Sequence, residues 1–236
     1  MKKISFTASD AESEDLFFPP KPSSLLVPEW YKNMPQYINN RKKLHVDENG
    51  QALYTVKKCV PFLDSLISGY TVTTPCDVFV SKNEIIPEVN WKLKAPVVSH
   101  HISEQTDDLP QVLWQDYYKM IFKWIYPYVI NTPKDYSILF THPLNRPDLP
   151  FYTLSGVVDT ESFNMATNFP FLIKKDFEGL IPQGTPIVQF IPFKREAWNS
   201  KINKPDEEKT KKSFNMYNRS LLNYYRNNFW KKKQWT

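Results

Sequence analysis

The residues best able to bind a metal or move a proton are four histidines, His45, His100, His101 and His142, two cysteines and a scatter of carboxylates. His100 and His101 are adjacent, and adjacent side chains on a strand face opposite ways. They therefore do not form a chelating pair, and no zinc site is expected. Cys59 and Cys76 stand 17 positions apart without histidines at ligand spacing, so they read as two reduced, buried thiols. Asp159 closes the segment Gly156-Val157-Val158-Asp159, where a turn carboxylate can cap neighbouring amides. Beside a pocket that tuned its pKa it could instead serve as a general base. Capping is the expected role. There is no P-loop, no G-x-S-x-G elbow and no H-E-x-x-H pair, so the common nucleotide-binding and hydrolytic signatures are absent.

Charge singles out one segment. From Lys194 onward twelve basic residues face four acidic ones, a net +8, whereas the preceding residues carry −3, giving +5 for the chain. Phe214, Tyr217, Leu221, Tyr225 and Phe229 recur there at intervals of three or four, with Asp206, Glu207 and Glu208 before them and Lys231, Lys232 and Lys233 after. This predicts a helix from about Pro205 to Trp230, with charges matched to its dipole. Aromatic residues interleaved with bases suit a nucleic-acid interface. They equally suit a helix that buries its rings and solvates its bases, which is the expectation carried forward.

With 41% hydrophobic and 15% aromatic residues the chain can bury a core, and twenty prolines against five glycines favour short strands with stiff connections. Three parts are expected: an extended proline-rich arm over residues 1–35, a mainly β core over 36–195, and a basic helical tail over 196–236. Pro28 should open a short helical turn that Pro35 stops. Phe17, Phe18, Trp30 and Tyr31 of the arm must be buried, either against the body or on a neighbouring subunit. A helix is expected over 61–68. Strands are expected over 70–73, 77–80, 88–93, a bent 117–130, 136–141, 151–158, 169–174 and 187–193, with Ile187, Gln189 and Ile191 alternating against Val188 and Phe190. The opening residues lack an apolar signal region and no stretch approaches a membrane span. A reducing cytoplasm and no membrane partner are therefore expected.

Four of the five glycines mark segments that carry a family resemblance. Ser68-Gly69-Tyr70, Gly156-Val157-Val158-Asp159 and the run Gly179 to Ile191, through Pro182-Gln183-Gly184-Thr185-Pro186, are similar in order and spacing to the first, third and fourth motifs of the dUTPase and dCTP-deaminase superfamily. That resemblance covers about residues 62 to 193 and implies a β-clip core. It would place Tyr70 beside a pyrimidine and Asp159 as the base activating water. The second motif falls at Thr141-His142-Pro143-Leu144-Asn145-Arg146, where an arginine-serine pair is missing and Arg146 alone would reach a phosphate. Thr71 stands where an aspartate is typical, Thr160 to Phe163 lack the usual tyrosine-arginine-glycine, and no glycine-rich lid follows Gly184. The chain also resembles an uncharacterised family of bacteria and tailed phages, of the T4-like cyanophage type, in Pro28-Glu29-Trp30-Tyr31-Lys32, Pro61-Phe62-Leu63-Asp64 leading to Ser68-Gly69-Tyr70, Phe140-Thr141-His142-Pro143-Leu144-Asn145-Arg146, and Gly179-Leu180-Ile181-Pro182 through Arg195. Together these imply a non-catalytic β-clip protein that binds itself, as a trimer, and other virion proteins, and needs no cofactor. The alternative is a dUTPase-like pyrimidine nucleotide hydrolase or nucleotide sensor using Asp159, Tyr70 and Arg146, with magnesium.

Overall fold

The structure, a computed structural model, describes residues 2–40, 45–48, 53–81, 84–87, 96–101, 109–219 and 224–235. Its strands are β1 Ser5–Ala8, β2 Lys21–Pro22, β3 Tyr70–Thr73, β4 Val78–Ser81, β5 Glu84–Pro87, β6 Val98–His100, β7 Phe122–Trp124, β8 Tyr128–Asn131, β9 Tyr136–Thr141, β10 Phe151–Thr153, β11 Gly156–Val158, β12 Phe169–Ile173, β13 Gly179–Ile181 and β14 Pro186–Lys194. The helices are α1 Ala11–Leu16, α2 Glu29–Asn33, α3 Val60–Ile67, α4 Glu207–Arg219 and α5 Tyr224–Asn228. The fold is mainly β. All strand pairs are antiparallel, in sheets ordered β11-β9-β14-β3-β2, β10-β12-β7-β6, β13-β4-β5 and β1-β8. Among the described residues no helix is long and apolar enough to cross a membrane.

Strand β14 organises the molecule. Its run of β-branched and aromatic residues pairs with β9 on one side and β3 on the other, so Ile187, Val188, Gln189 and Phe190 are all buried. The expected alternation is interrupted: the register with β3 shifts between Pro186 and Val188, a bulge at Ile187, and Ile187, Val188 and Phe190 all join the same core. On one face Phe190 meets Tyr70, Phe140 and Phe6, and the core continues through Phe169 to Trp124, whose ring stacks on Phe171 at 4.1 Å. On the other, the Gln189 amide accepts from the Leu144 N–H at 2.8 Å and donates to the carbonyls of Ser65 (2.9 Å) and Ser68 (2.7 Å), tying the end of α3 to the β9–β10 loop.

Among the described residues Gly69, Gly179 and Gly184 have positive φ, and two of them shape the ends of the central strands. Gly69 has φ +70°, and a Cβ there would overlap the Phe190 carbonyl oxygen, so α3 and β3 join only where no side chain exists. Gly184, at φ +81°, turns β13 into β14. Gly156 is different: it begins edge strand β11 with open space around its Cα, so its motif position reflects no steric need.

The segment expected as an extended arm lies on its own chain and is less extended than its prolines suggested. β1 pairs with β8, β2 pairs with β3, and α1 stands between them, capped by the Asp10 side chain accepting from the Ser13 N–H at 2.8 Å. Tyr126 and Tyr128 donate their hydroxyls to the carbonyls of Phe18 and Phe17, and Phe17 and Tyr31 are buried. Helix α2 follows Pro28 as expected.

Other expectations needed division. The run 117–130 yields β7 and β8 in different sheets, and 151–158 splits at Leu154-Ser155 into β10 and β11, again in different sheets. The strand expected over 88–93 lies outside the described residues, though β5 immediately precedes it. The tail is helical in α4 and α5, but the rings of Phe214, Tyr225 and Phe229 are exposed rather than buried. Phe214 is 63% and Phe229 58% exposed, because the tail stands away from the body and no described element of this chain covers them. The two cysteines form no disulfide and are only half-buried rather than buried.

Candidate functional site

The β9–β10 loop, the β12–β13 connection, the residues after Trp114 and the β13–β14 turn enclose a cleft of about 940 Å³, near the upper end for ligand pockets. Arg146, Lys174 and Lys175 bring cations to it, Asp116, Asp148 and Asp176 bring carboxylates, and Tyr117, Phe177 and Leu180 supply apolar wall. The charges are largely spoken for. Arg146 grips Asp148 through Nε (2.9 and 3.1 Å) and Nη2 (2.8 Å). Lys174 donates to the Pro147 carbonyl and Lys175 to that of Gln115, each at 2.9 Å. Burial pushes the Asp148 carboxyl up, but the Arg146 hydrogen bonds outweigh it and hold the group below its ordinary value.

His142 lies beneath this loop. Its Nδ1 accepts from the Thr153 N–H at 3.2 Å, which leaves the proton on Nε2 to be donated to the Arg146 carbonyl at 3.1 Å. Burial pulls its pKa down, so the ring is neutral while it accepts that bond.

Tyr70 is a core residue. Its ring stacks on Phe190 at 5.6 Å and meets Phe6 (5.3 Å) and Trp235 (6.1 Å) edge-on, and burial raises its pKa. Asp159 follows β11 at the opposite edge of the sheet, exposed. It accepts from Ser137 Oγ at 2.6 Å and from Arg195 at 3.3 Å, while Arg195 also binds Glu161 at 2.5 Å. The Ser137 hydrogen bond, aided by Arg195, keeps the Asp159 carboxyl below its ordinary value.

These three residues occupy three places. β11 and β3 are three strand spacings apart across β9 and β14, about 14 Å. Asp159 neighbours the start of β9 and Arg146 follows its end, so a six-residue strand of about 20 Å separates them. Within one chain they do not converge. The sequence reading missed Lys174, Lys175 and Asp148 in the cleft, and Arg195 as the partner of Asp159. Gln189, a lone amide in an apolar strand, was the one visible signal of a buried polar hub.

No family model and no curated protein matches the chain. Among solved structures it is similar to a point mutant of the dUTPase from phage phi11 of S. aureus, described with a structural Mg(II) ion, at 9% identity and a TM-score of 0.35, covering 86% of this chain and 97% of that one. It is also similar to a point mutant of the dUTPase of Staphylococcus bacteriophage 80alpha with dUpNHpp, at 11% identity and a TM-score of 0.34, covering 87% of this chain and 90% of that one.

Proposed function

We propose that the chain is a non-catalytic β-clip protein that acts by binding, as a self-associating trimeric component of a tailed-phage virion or its assembly. One observation carries this reading: the Tyr70 ring is packed in the core, Asp148 grips Arg146, and Ser137 and Arg195 hold Asp159. A general base works best with a pKa near working pH. Asp159 gives one oxygen to Ser137 and Arg195 and is held acidic by them. The virion setting rests on the phage-family segments around Trp30, Asn145 and Pro182. Incubation with dUTP or dCTP and Mg²⁺ should give no turnover above background. Hydrolysis or deamination that vanishes in Asp159→Asn would overturn the proposal.

The cleft favours a second reading, a dUTPase-like nucleotide hydrolase or sensor, because Arg146, Lys174 and Lys175 line an open volume large enough for a nucleotide. Magnesium would accompany a triphosphate there. Among the described residues no group of three His, Cys, Asp or Glu side chains is placed to hold an ion. The donor set among the described residues does not fit a protein-held metal. Equilibrium dialysis against dUpNHpp distinguishes the readings: binding lost in Lys174→Ala/Lys175→Ala would favour the second.

A further inference from the structure

The tail leaves the central sheet at Lys194 and rejoins the body at Trp230, whose indole N–H donates to both Asp64 oxygens (3.1 and 2.9 Å). Lys233 pairs with the same carboxylate. Between these anchors every side chain from Glu196 to Met216 is exposed, as are Tyr225 to Phe229. Trp198 is 87% exposed, and Phe214, Tyr225 and Phe229 present their rings to solvent. Among the described residues Lys201, Lys204, Lys209, Lys212, Arg226, Lys231 and Lys232 form no ion pair, and Lys211 only approaches Glu207 at 3.9 Å.

An exposed arch that alternates flat rings, lysines and the amides of Asn199, Asn203, Asn215 and Asn227 is chemically specific. Rings stack on bases whatever their identity, lysines neutralise phosphates, and asparagines hydrogen-bond base edges. A lipid surface asks instead for a broad continuous apolar face, and among the described side chains of α4 only Phe214 and Met216 are apolar. Two copies of a segment so rich in cations repel one another. We infer that residues 196–216 and 225–233 form a binding site for single-stranded nucleic acid, holding the phosphodiester backbone by the lysines between Lys201 and Lys232 and stacking bases on Trp198, Phe214 and Phe229. The inference is independent of whether the β body turns over nucleotides, since the arch shares no residue with the cleft.

The test is fluorescence anisotropy of labelled 20-mers of deoxythymidine and of uridine, titrated with the full chain. The two oligonucleotides separate DNA from RNA preference. Neutralising about five phosphates gives a slope of about −3.5 in log K against log salt, so binding should weaken about a hundredfold between 50 and 200 mM salt. Replacing Lys209, Lys211, Lys212, Lys231 and Lys232 by Ala should abolish it. Trp198→Ala/Phe214→Ala/Phe229→Ala should weaken it at least tenfold at constant salt. All eight side chains are exposed, and an unchanged circular dichroism melt confirms that the fold is intact. Absence of binding at 50 mM salt would overturn the inference. So would binding indifferent to the three rings, or saturable binding to phosphatidylserine vesicles without binding to either oligonucleotide.

Discussion

Replacing Gln189 by Met keeps the length of the side chain and removes all of its hydrogen bonding. The residue is 2% exposed and its amide serves three backbone groups: the Leu144 N–H and the carbonyls of Ser65 and Ser68. Each intramolecular hydrogen bond contributes about 1 kcal/mol net, and a buried partner left unmatched costs about 1–3 kcal/mol. Three losses at the lower figure give about 3 kcal/mol, a large part of the roughly 5–15 kcal/mol typical of a domain. Gln189→Glu keeps only the acceptor and places a charge in the same site, so it should be at least as damaging. Urea unfolding followed by tryptophan fluorescence measures both, with the midpoint falling and the slope unchanged. A loss below about 1 kcal/mol in Gln189→Met would refute the reasoning, because water would then be reaching the α3 carbonyls and the strand would not depend on the amide.

The two motif glycines should behave oppositely. Gly69→Ala must accept positive φ and displace the Phe190 carbonyl, costing about 3 kcal/mol or more, whereas Gly156→Ala should be neutral or stabilise by about 0.5 kcal/mol; thermal melts of both variants test this. His142, held below its ordinary value of 6.5 when folded, binds its proton more readily unfolded, so its contribution is intact above pH 6.5 and declines as pH falls through that value. The melting temperature should drop between about pH 7 and 5, and His142→Gln should flatten that slope. Asp148 acts in a separate window: its folded pKa is depressed, so the stability it gives is present above its ordinary 3.8 and lost only below it. Asp64→Ala should free Trp230 and Lys233, seen as faster hydrogen exchange over residues 230–235 with β14 still protected.

The strands most legible in the sequence lie in the central sheet. β9 and β3 were read to the residue, and β14 to within one at each end, because turn residues bound each. The division of 151–158 was missed although Ser155-Gly156 breaks the apolar pattern there; β10 and β11 pair with β12 and β9 in different sheets. Helix α1 was hidden because Glu12, Glu14 and Asp15 look like a solvated arm, although Asp10 followed by Ser13 is a capping signature. Helicity in the tail was readable from its period. Its exposure was not, because a period defines a face without saying whether the fold supplies anything to cover it. The candidate residues shared that limit: Arg195 lies 36 positions from Asp159, and pattern along a chain does not report pairing across a sheet.

Phe6 and Trp235 pack on the same ring, that of Tyr70, although nearly the whole sequence lies between them. Contacts of such long separation are the last whose closure entropy can be repaid, since the ring they cover is not in place until β3 has found β14. The two ends of the chain therefore close over one ring from opposite directions in sequence, and removing either Phe6 or Trp235 should open Tyr70 to solvent while the β3–β14 pairing persists.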